Sequence, residues 1–246
     1  MSFHKEFTQT LSGLCWSLWN ELGVAGVDHY HSNCLVQVEE LILFTAILSQ
    51  HDPRLRDEAI DWCSRYHDYI SISRLRALLA KLDEDSQQLF AQFAAAVNAV
   101  SSANFPKAAD SVSLKVKLSG KSLLPPLDSP SLLSFRLRSL FGIGARADIL
   151  TYLMIQEKTQ VTAGDLVELG YSKRSLLTAL DTLAACDLLT AIPIRNSKTY
   201  QLKKSKQLQV LVGKLPKIAP PWSKILQLVS SFRSVILEIE KSSNTT

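Results

Sequence analysis

Apolar periodicity stops at Asn104 and does not return until Leu132, and that break limits the architectures open to the chain. It contains Pro106, Pro125, Pro126, Pro130 and Gly120, residues that interrupt regular backbone because proline lacks an amide hydrogen and fixes φ. Before it, Phe7, Leu11, Leu14, Leu18 and Leu22 recur at steps of three and four, which predicts a helix from Phe3 to Leu22. The same spacing predicts helices over Leu35–Ser49, Pro53–Tyr66, Ser71–Leu82 and Asp85–Val100, with Asp52 as a cap and Pro53 in a first turn. Inside the break, "SVSLKVKLS" alternates as a strand would. A chain of 246 residues with 46% hydrophobic content can bury one large core or two ordinary ones, and the break favours two.

Charge divides at the same place. Residues 1–130 hold 11 Lys+Arg against 15 Asp+Glu, net −4, whereas residues 131–246 hold 16 against 8, net +8. A basic half of this kind suits a polyanion. The four cysteines, Cys15, Cys34, Cys63 and Cys186, are scattered, and the opening "MSFHKEFTQT" has no apolar export segment, so a cytoplasmic protein with reduced thiols is expected. The most apolar run, "LILFTAILS", is far shorter than the roughly 20 residues a membrane span needs, and reads as a buried helix.

The second half is predicted to begin with a helix around Leu132–Leu140, followed by another in "FGIGARADILTYLMIQEK". Thr162 and Asp165 form a capping-box pattern opening a short helix, which Gly170 ends. Ser172 caps the next helix, whose Leu176, Leu180 and Leu183 face inward. "TAIPI" and "KTYQLKK" then flank "RNS" as two short strands of a hairpin. The expected fold is mainly α: an acidic all-helical domain at 1–125, a linker at 126–135, a basic domain at 136–215 with a small β-hairpin, and a long C-terminal helix within 216–246.

The order helix, helix, turn, helix, hairpin resembles the winged helix-turn-helix of bacterial transcription regulators such as the MarR and ArsR families. The resemblance covers about residues 136–205 and is carried by "ARADILTYLM", "VTAGDLVELGYSKRSLLTALDTLAACDLLT" and "AIPIRNSKTYQL". It implies a regulator that binds double-stranded DNA. Pro193, inside the first hairpin strand, departs from that pattern and puts the strand's length in question. The residues argue the same way on their own. A recognition helix offers polar and basic side chains to the major groove from its first turns while its other face holds the core. With Leu176, Leu180 and Leu183 inward, Ser172, Lys173, Arg174, Ser175, Thr178 and Thr182 are left on or near the outer face. Lys173 and Arg174 suit phosphate, and Arg174 alternatively suits guanine O6 and N7. At the hairpin tip Arg195, Asn196 and Lys198 suit backbone phosphate or the minor groove. Asp181 lies on the exposed side and repels phosphate. A protein-interaction adaptor or antitoxin-like subunit, using the same unit to hold a protein, is the alternative.

Other motifs are weaker. Gly142, Gly144 and Ala147 fit the letters of a dinucleotide fingerprint, but no hydrophobic strand precedes them and helices follow, so they read as a helix start. His29, His31 and Cys34, with Cys63 and His67, are zinc-ligand types without a finger's spacing, and no metal or cofactor is expected. The chain carries no G-x-S-x-G elbow, no H-E-x-x-H helix and no phosphate loop, and is not read as an enzyme. The last helix places Trp222, Ile225, Val229, Phe232, Ile236 and Ile239 at steps of three and four, a heptad seam that predicts a homodimer. The helical first half is then left to sense a protein or small-molecule effector, or to serve as scaffold.

Overall fold

The computed structural model describes residues 3–26, 29–107, 114–156, 160–194, 197–203 and 206–243. They form a mainly helical protein with one small antiparallel hairpin and a long C-terminal helix. The chain divides into two compact units: unit 1 is residues 1–31, 37–125 and 221–246, and unit 2 is residues 32–36 and 126–220.

Unit 1 is built around α2 (Val38–Ile47), every residue of which is buried. Around it pack α1 (Phe3–Glu21), α3 (Pro53–Tyr66), α4 (Ile72–Leu79), α5 (Glu84–Val100) and α10 (Trp222–Ser243). A helix enclosed on all sides must be apolar all round or pair its polar groups. Leu41, Ile42, Leu43 and Phe44 meet the first condition. Glu39 and Glu40, set by their sequence position on that same helix, meet the second. Arg74 of α4 places its Nη2 2.5 Å from Glu40 Oε1 and its Nε 3.4 Å from Glu39 Oε2, while the Ser71 amide donates to Glu39 Oε1 at 2.7 Å. Burial pushes the Glu40 carboxyl above the usual range, with Glu39 adding to the rise and Arg74 opposing it. Trp19 and Trp62, both fully buried, meet edge to face at 5.4 Å, and each indole N–H has an acceptor: Trp19 donates to Thr45 Oγ1 and Trp62 to the Leu22 carbonyl.

The helix starts follow local chemistry. Asp52 accepts from the Leu55 amide with Pro53 in the first turn of α3, Ser71 accepts from the Arg74 amide, and Asp83 accepts from the Ser86 amide. Asp52 also accepts from Ser12 Oγ at 2.6 Å and Trp16 Nε1 at 2.9 Å. Burial alone would raise its carboxyl, but these donors, with Arg54 nearby, hold it below the usual range.

Two expectations are corrected. Leu35–Gln37 is not helical: the Leu35 amide donates to the Ile218 carbonyl and the Val36 amide to the Ser131 carbonyl, so Leu35 and Val36 are an extended part of unit 2, and Gln37 is the residue that caps α2. Residues 114–119 form no strand, because the Lys117 amide and Ser119 hydroxyl go to the carboxylates of Asp57 and Glu58 rather than to a partner strand. Residues 111–113 of the same expected strand lie outside the described residues.

Unit 2 consists of α6 (Leu133–Phe141), α7 (Ala145–Ile155), α8 (Lys173–Ala185), the hairpin β1 (Leu189–Ile194) and β2 (Ser197–Leu202), and α9 (Lys206–Val212). Its core joins Leu35 to Leu133, Leu137, Leu150, Leu176, Leu180 and Tyr200. The short helix expected between Thr162 and Gly170 is a turn that closes in a 3-10 segment, Val167–Leu169. Val161 exchanges both backbone bonds with Tyr200, at 2.9 and 2.8 Å, which adds a one-residue third strand to the hairpin. β1 runs through Pro193 to Ile194, paired as Leu189↔Leu202 to Ile194↔Ser197. A two-stranded ribbon tolerates Pro193 because the missing amide need not face a partner.

Trp222, Leu226 and Val229 bury the inner face of α10 within unit 1, where Trp222 meets Phe44 edge to face and Ser230 bonds the Asp83 cap. At about 1.5–3 kcal/mol per buried large apolar side chain, these three account for roughly 5–9 kcal/mol, the scale of a whole domain's stability. A chain cut after Pro220 is therefore expected to lose the cooperative unfolding of unit 1. Differential scanning calorimetry checks this; a cut chain that keeps both transitions would show α10 to be dispensable.

Candidate nucleic-acid interface

α8 begins at Ser172, whose Oγ accepts from the Ser175 amide at 3.2 Å. The stop before it is set by Gly170, at φ +84°, and by the Thr162–Asp165 turn, in which Asp165 Oδ2 accepts from the Thr162 amide and hydroxyl at 2.8 Å each. Leu176, Ala179, Leu180 and Leu183 enter the core of unit 2. Ser172, Lys173, Arg174, Ser175, Thr178 and Asp181 are exposed, and Thr182 is half-buried. Lys173 and Arg174 have no hydrogen-bond or ion-pair partner among the described residues. Thr178 and Thr182 donate their hydroxyls to the carbonyls of Arg174 and Thr178, at 3.1 and 2.7 Å. What they offer outward is a methyl group and an acceptor oxygen, not a donor.

Asp181 is not the free repulsive charge that its position on α8 suggests. Lys198 Nζ and Tyr200 Oη both donate to its Oδ1, each at 2.9 Å, tying α8 to β2. The bond from Lys198, with that from Tyr200, holds the Asp181 carboxyl below the usual range. Lys198 is thus engaged with Asp181 instead of standing free as expected. Likewise Lys203 is paired with Asp187. Arg195 and Asn196, the expected hairpin-tip contacts, lie outside the described residues.

Beside α8 lies an open cleft of about 460 Å³. One wall is Arg174, Ser175, Thr178 and Thr182; the other is the turn from Gly142 to Arg146, which enters α7. The structure therefore brings four of the expected contact residues together with Arg146, which sequence reasoning treated only as part of a helix start. The G-x-G turn before a helix marks a tight backbone, but its proximity to α8 depends on the packing of α6 and α7. A buried pair fixes that packing: Arg138 meets both oxygens of Asp148 at 3.1 Å, and Tyr171 Oη donates to Asp148 at 2.8 Å.

His29 and His31 stack edge to face at 4.9 Å, and no group of three or more metal-ligating side chains is found among the described residues. The buried Cys63 thiol is pushed well above its ordinary range by desolvation. Of the expected seam, Trp222 and Val229 are buried in unit 1, Ile225 and Ile236 are half-buried, and Phe232, 45% exposed, meets Phe7 at 6.3 Å. The side chain of Ile239 lies outside the described residues. A pocket of about 20 Å³ beside Phe7, Leu11, Ile47 and His51 has room for about one water, not an effector. Among the described residues, no helix is long and apolar enough to cross a membrane.

Tyr200 links this surface to the core. Burial, with the Asp181 carboxylate beside it, pushes its phenol from 10.0 to about 12. A folded-state value above the unfolded one means stabilisation that is present below pH 10 and lost as pH climbs to about 12. Thermal melting of unit 2 is expected to hold to pH 10 and fall across that window, and Tyr200→Phe to flatten the fall. Equal alkaline losses in parent and variant would assign the transition to other groups. Comparison of the chain with protein-family models, with curated proteins and with solved structures finds no match.

Proposed function

We propose that the chain is a DNA-binding transcription regulator, with unit 2 as a winged helix-turn-helix and α8 as its recognition helix. The observation that carries this reading is the outer face of α8, where Lys173 and Arg174 lie exposed and without partners among the described residues while Leu176, Leu180 and Leu183 anchor the helix behind them. Groove reading needs that arrangement: a rigid helix presenting cationic and hydrogen-bonding side chains from its first turns. The order of α6, α7, turn, α8 and hairpin supports it, as does the third-strand pairing of Val161 with Tyr200. The net charge of +8 over residues 131–246 supplies the long-range attraction for a polyanion.

In this reading the protein works in the cytoplasm, catalyses nothing, and binds double-stranded DNA as a homodimer, so that two copies of α8 meet successive half-sites. Unit 1 serves as scaffold or as the seat of a protein partner.

The double variant Lys173→Ala, Arg174→Ala is expected to lose retention of duplex DNA without a change in melting temperature, since both side chains stand clear of the core. Wild-type binding should weaken steeply with salt as condensed counterions are displaced from phosphate. Electrophoretic mobility shift with genomic fragments measures both, and light scattering on the same samples gives the mass of the bound species. Unchanged DNA binding in the variant overturns the placement of the recognition helix. A wild-type protein that ignores DNA overturns the function and leaves a protein partner as the occupant of this face.

A further inference from the structure

We propose that the cleft between the Gly142–Arg146 turn and α8 holds one backbone phosphate of duplex DNA, with Arg146 and Arg174 as its cationic walls; this rests on the DNA-binding reading above. Arg146 is exposed in the first turn of α7, Arg174 is exposed in the first turn of α8, and both line the same open cleft. None of the side chains lining the cleft is acidic. Neither arginine has a hydrogen-bond or ion-pair partner among the described residues. That distinguishes them from Arg138, Lys198 and Lys203 of the same unit, each of which is paired with an aspartate.

Asp148, two residues along α7 from Arg146, is the carboxylate nearest in sequence that would quench the cleft. It is buried and held by Arg138 and Tyr171, so its charge is already spent. Two like charges on one cleft repel until an anion bridges them, and a planar guanidinium is the group best matched to phosphate oxygens.

The glycines of the turn agree with this use. Gly142 and Gly144 have φ of +78° and +142°, and a Cβ added at either would meet open space. They therefore serve the backbone path, not packing, and leave the cleft's rim without side-chain bulk.

Thr178 and Thr182 have committed their hydroxyl hydrogens to the helix and Ser175 shares a hydrogen bond with Ser172, so the charged donors on offer are the two arginines. An acceptor-only ligand such as a phosphodiester fits that set. Because Arg146 is not on α8, it stays outside the groove when α8 enters, which assigns it to the sugar-phosphate backbone and makes its contribution independent of sequence.

The test uses the full chain, Arg146→Gln, Arg146→Lys and the Lys173→Ala, Arg174→Ala double variant, titrated against several unrelated mixed-sequence duplexes over a range of salt. Arg146→Gln is expected to bind each duplex about tenfold more weakly, by the same factor, with an unchanged melting temperature. Its slope of log K on log salt should fall by about 0.9, the signature of one lost phosphate contact. Arg146→Lys should keep that slope. If Arg146→Gln binds as the parent does while the double variant fails, the phosphate site is overturned and the recognition helix stands. If the parent binds no duplex, both fall. Saturable binding of ATP or inorganic phosphate without DNA, lost in Arg146→Gln, would also overturn it, making the cleft a pocket for a free anion.

Discussion

The arrangement of unit 1 depends on Arg74. Arg74 is 4% exposed, and its guanidinium is shared by two carboxylates, Glu39 and Glu40, on a helix whose every residue is buried. Without that cation α2 would carry two uncompensated buried charges, a cost of several kcal/mol each even after relaxation. With it, α2 can be enclosed by five other helices and act as the axis on which they pack. The ion pair adds little net stability, since desolvation cancels much of its attraction. Its value lies in register: the pairing brings α4 against the first turn of α2, where Arg74 reaches both glutamates.

Unit 2 uses the same device in smaller form. Arg138 and Asp148 fasten α6 to α7, and Tyr171 joins them from the turn that leads into α8. Asp181 then fastens α8 to the hairpin through Lys198 and Tyr200. An exposed carboxylate is thereby turned to positioning its neighbour. The cations proposed as contacts, Lys173, Arg174 and Arg146, are exposed on elements whose aspartates, Asp148 and Asp181, already have partners, which is the condition for presenting a cation without letting it fold back on its own chain.

Much of this was legible in the sequence where the cause is local. Asp52 with Pro53, Ser71 and Ser172 mark helix starts, and Gly170 marks a stop, because a cap needs only residues within one turn. The inward leucines of α8 follow from spacing alone. What periodicity could not convey depends on distant partners. Leu35 continues an apolar run that looks helical, yet its amide is taken by residue 218 and its side chain by the core of unit 2. The 114–119 segment alternates like a strand but finds carboxylates where a strand would be needed. Glu39 and Glu40 resemble a solvated face until Arg74 is brought to them. The expected helix after Thr162 shrinks to a turn and a 3-10 segment bounded by the Val161 pairing with the hairpin on one side and by Gly170 on the other. That Arg146 lines a cleft with α8 was invisible because nothing local announces that its turn lies beside that helix.

The partition of the chain has a consequence for its synthesis. The backbone passes between the two units four times, near residues 31, 36, 125 and 220, so neither unit is a continuous stretch of polypeptide. Leu35, needed by the core of unit 2, emerges from the ribosome about a hundred residues before the rest of that core, and Trp222, Leu226 and Val229, needed by unit 1, emerge only after the whole of unit 2. Domains usually complete themselves in order from the N-terminus during translation. Here the first unit to begin is the last to close, and the second finishes its fold while the first still waits for its final helix.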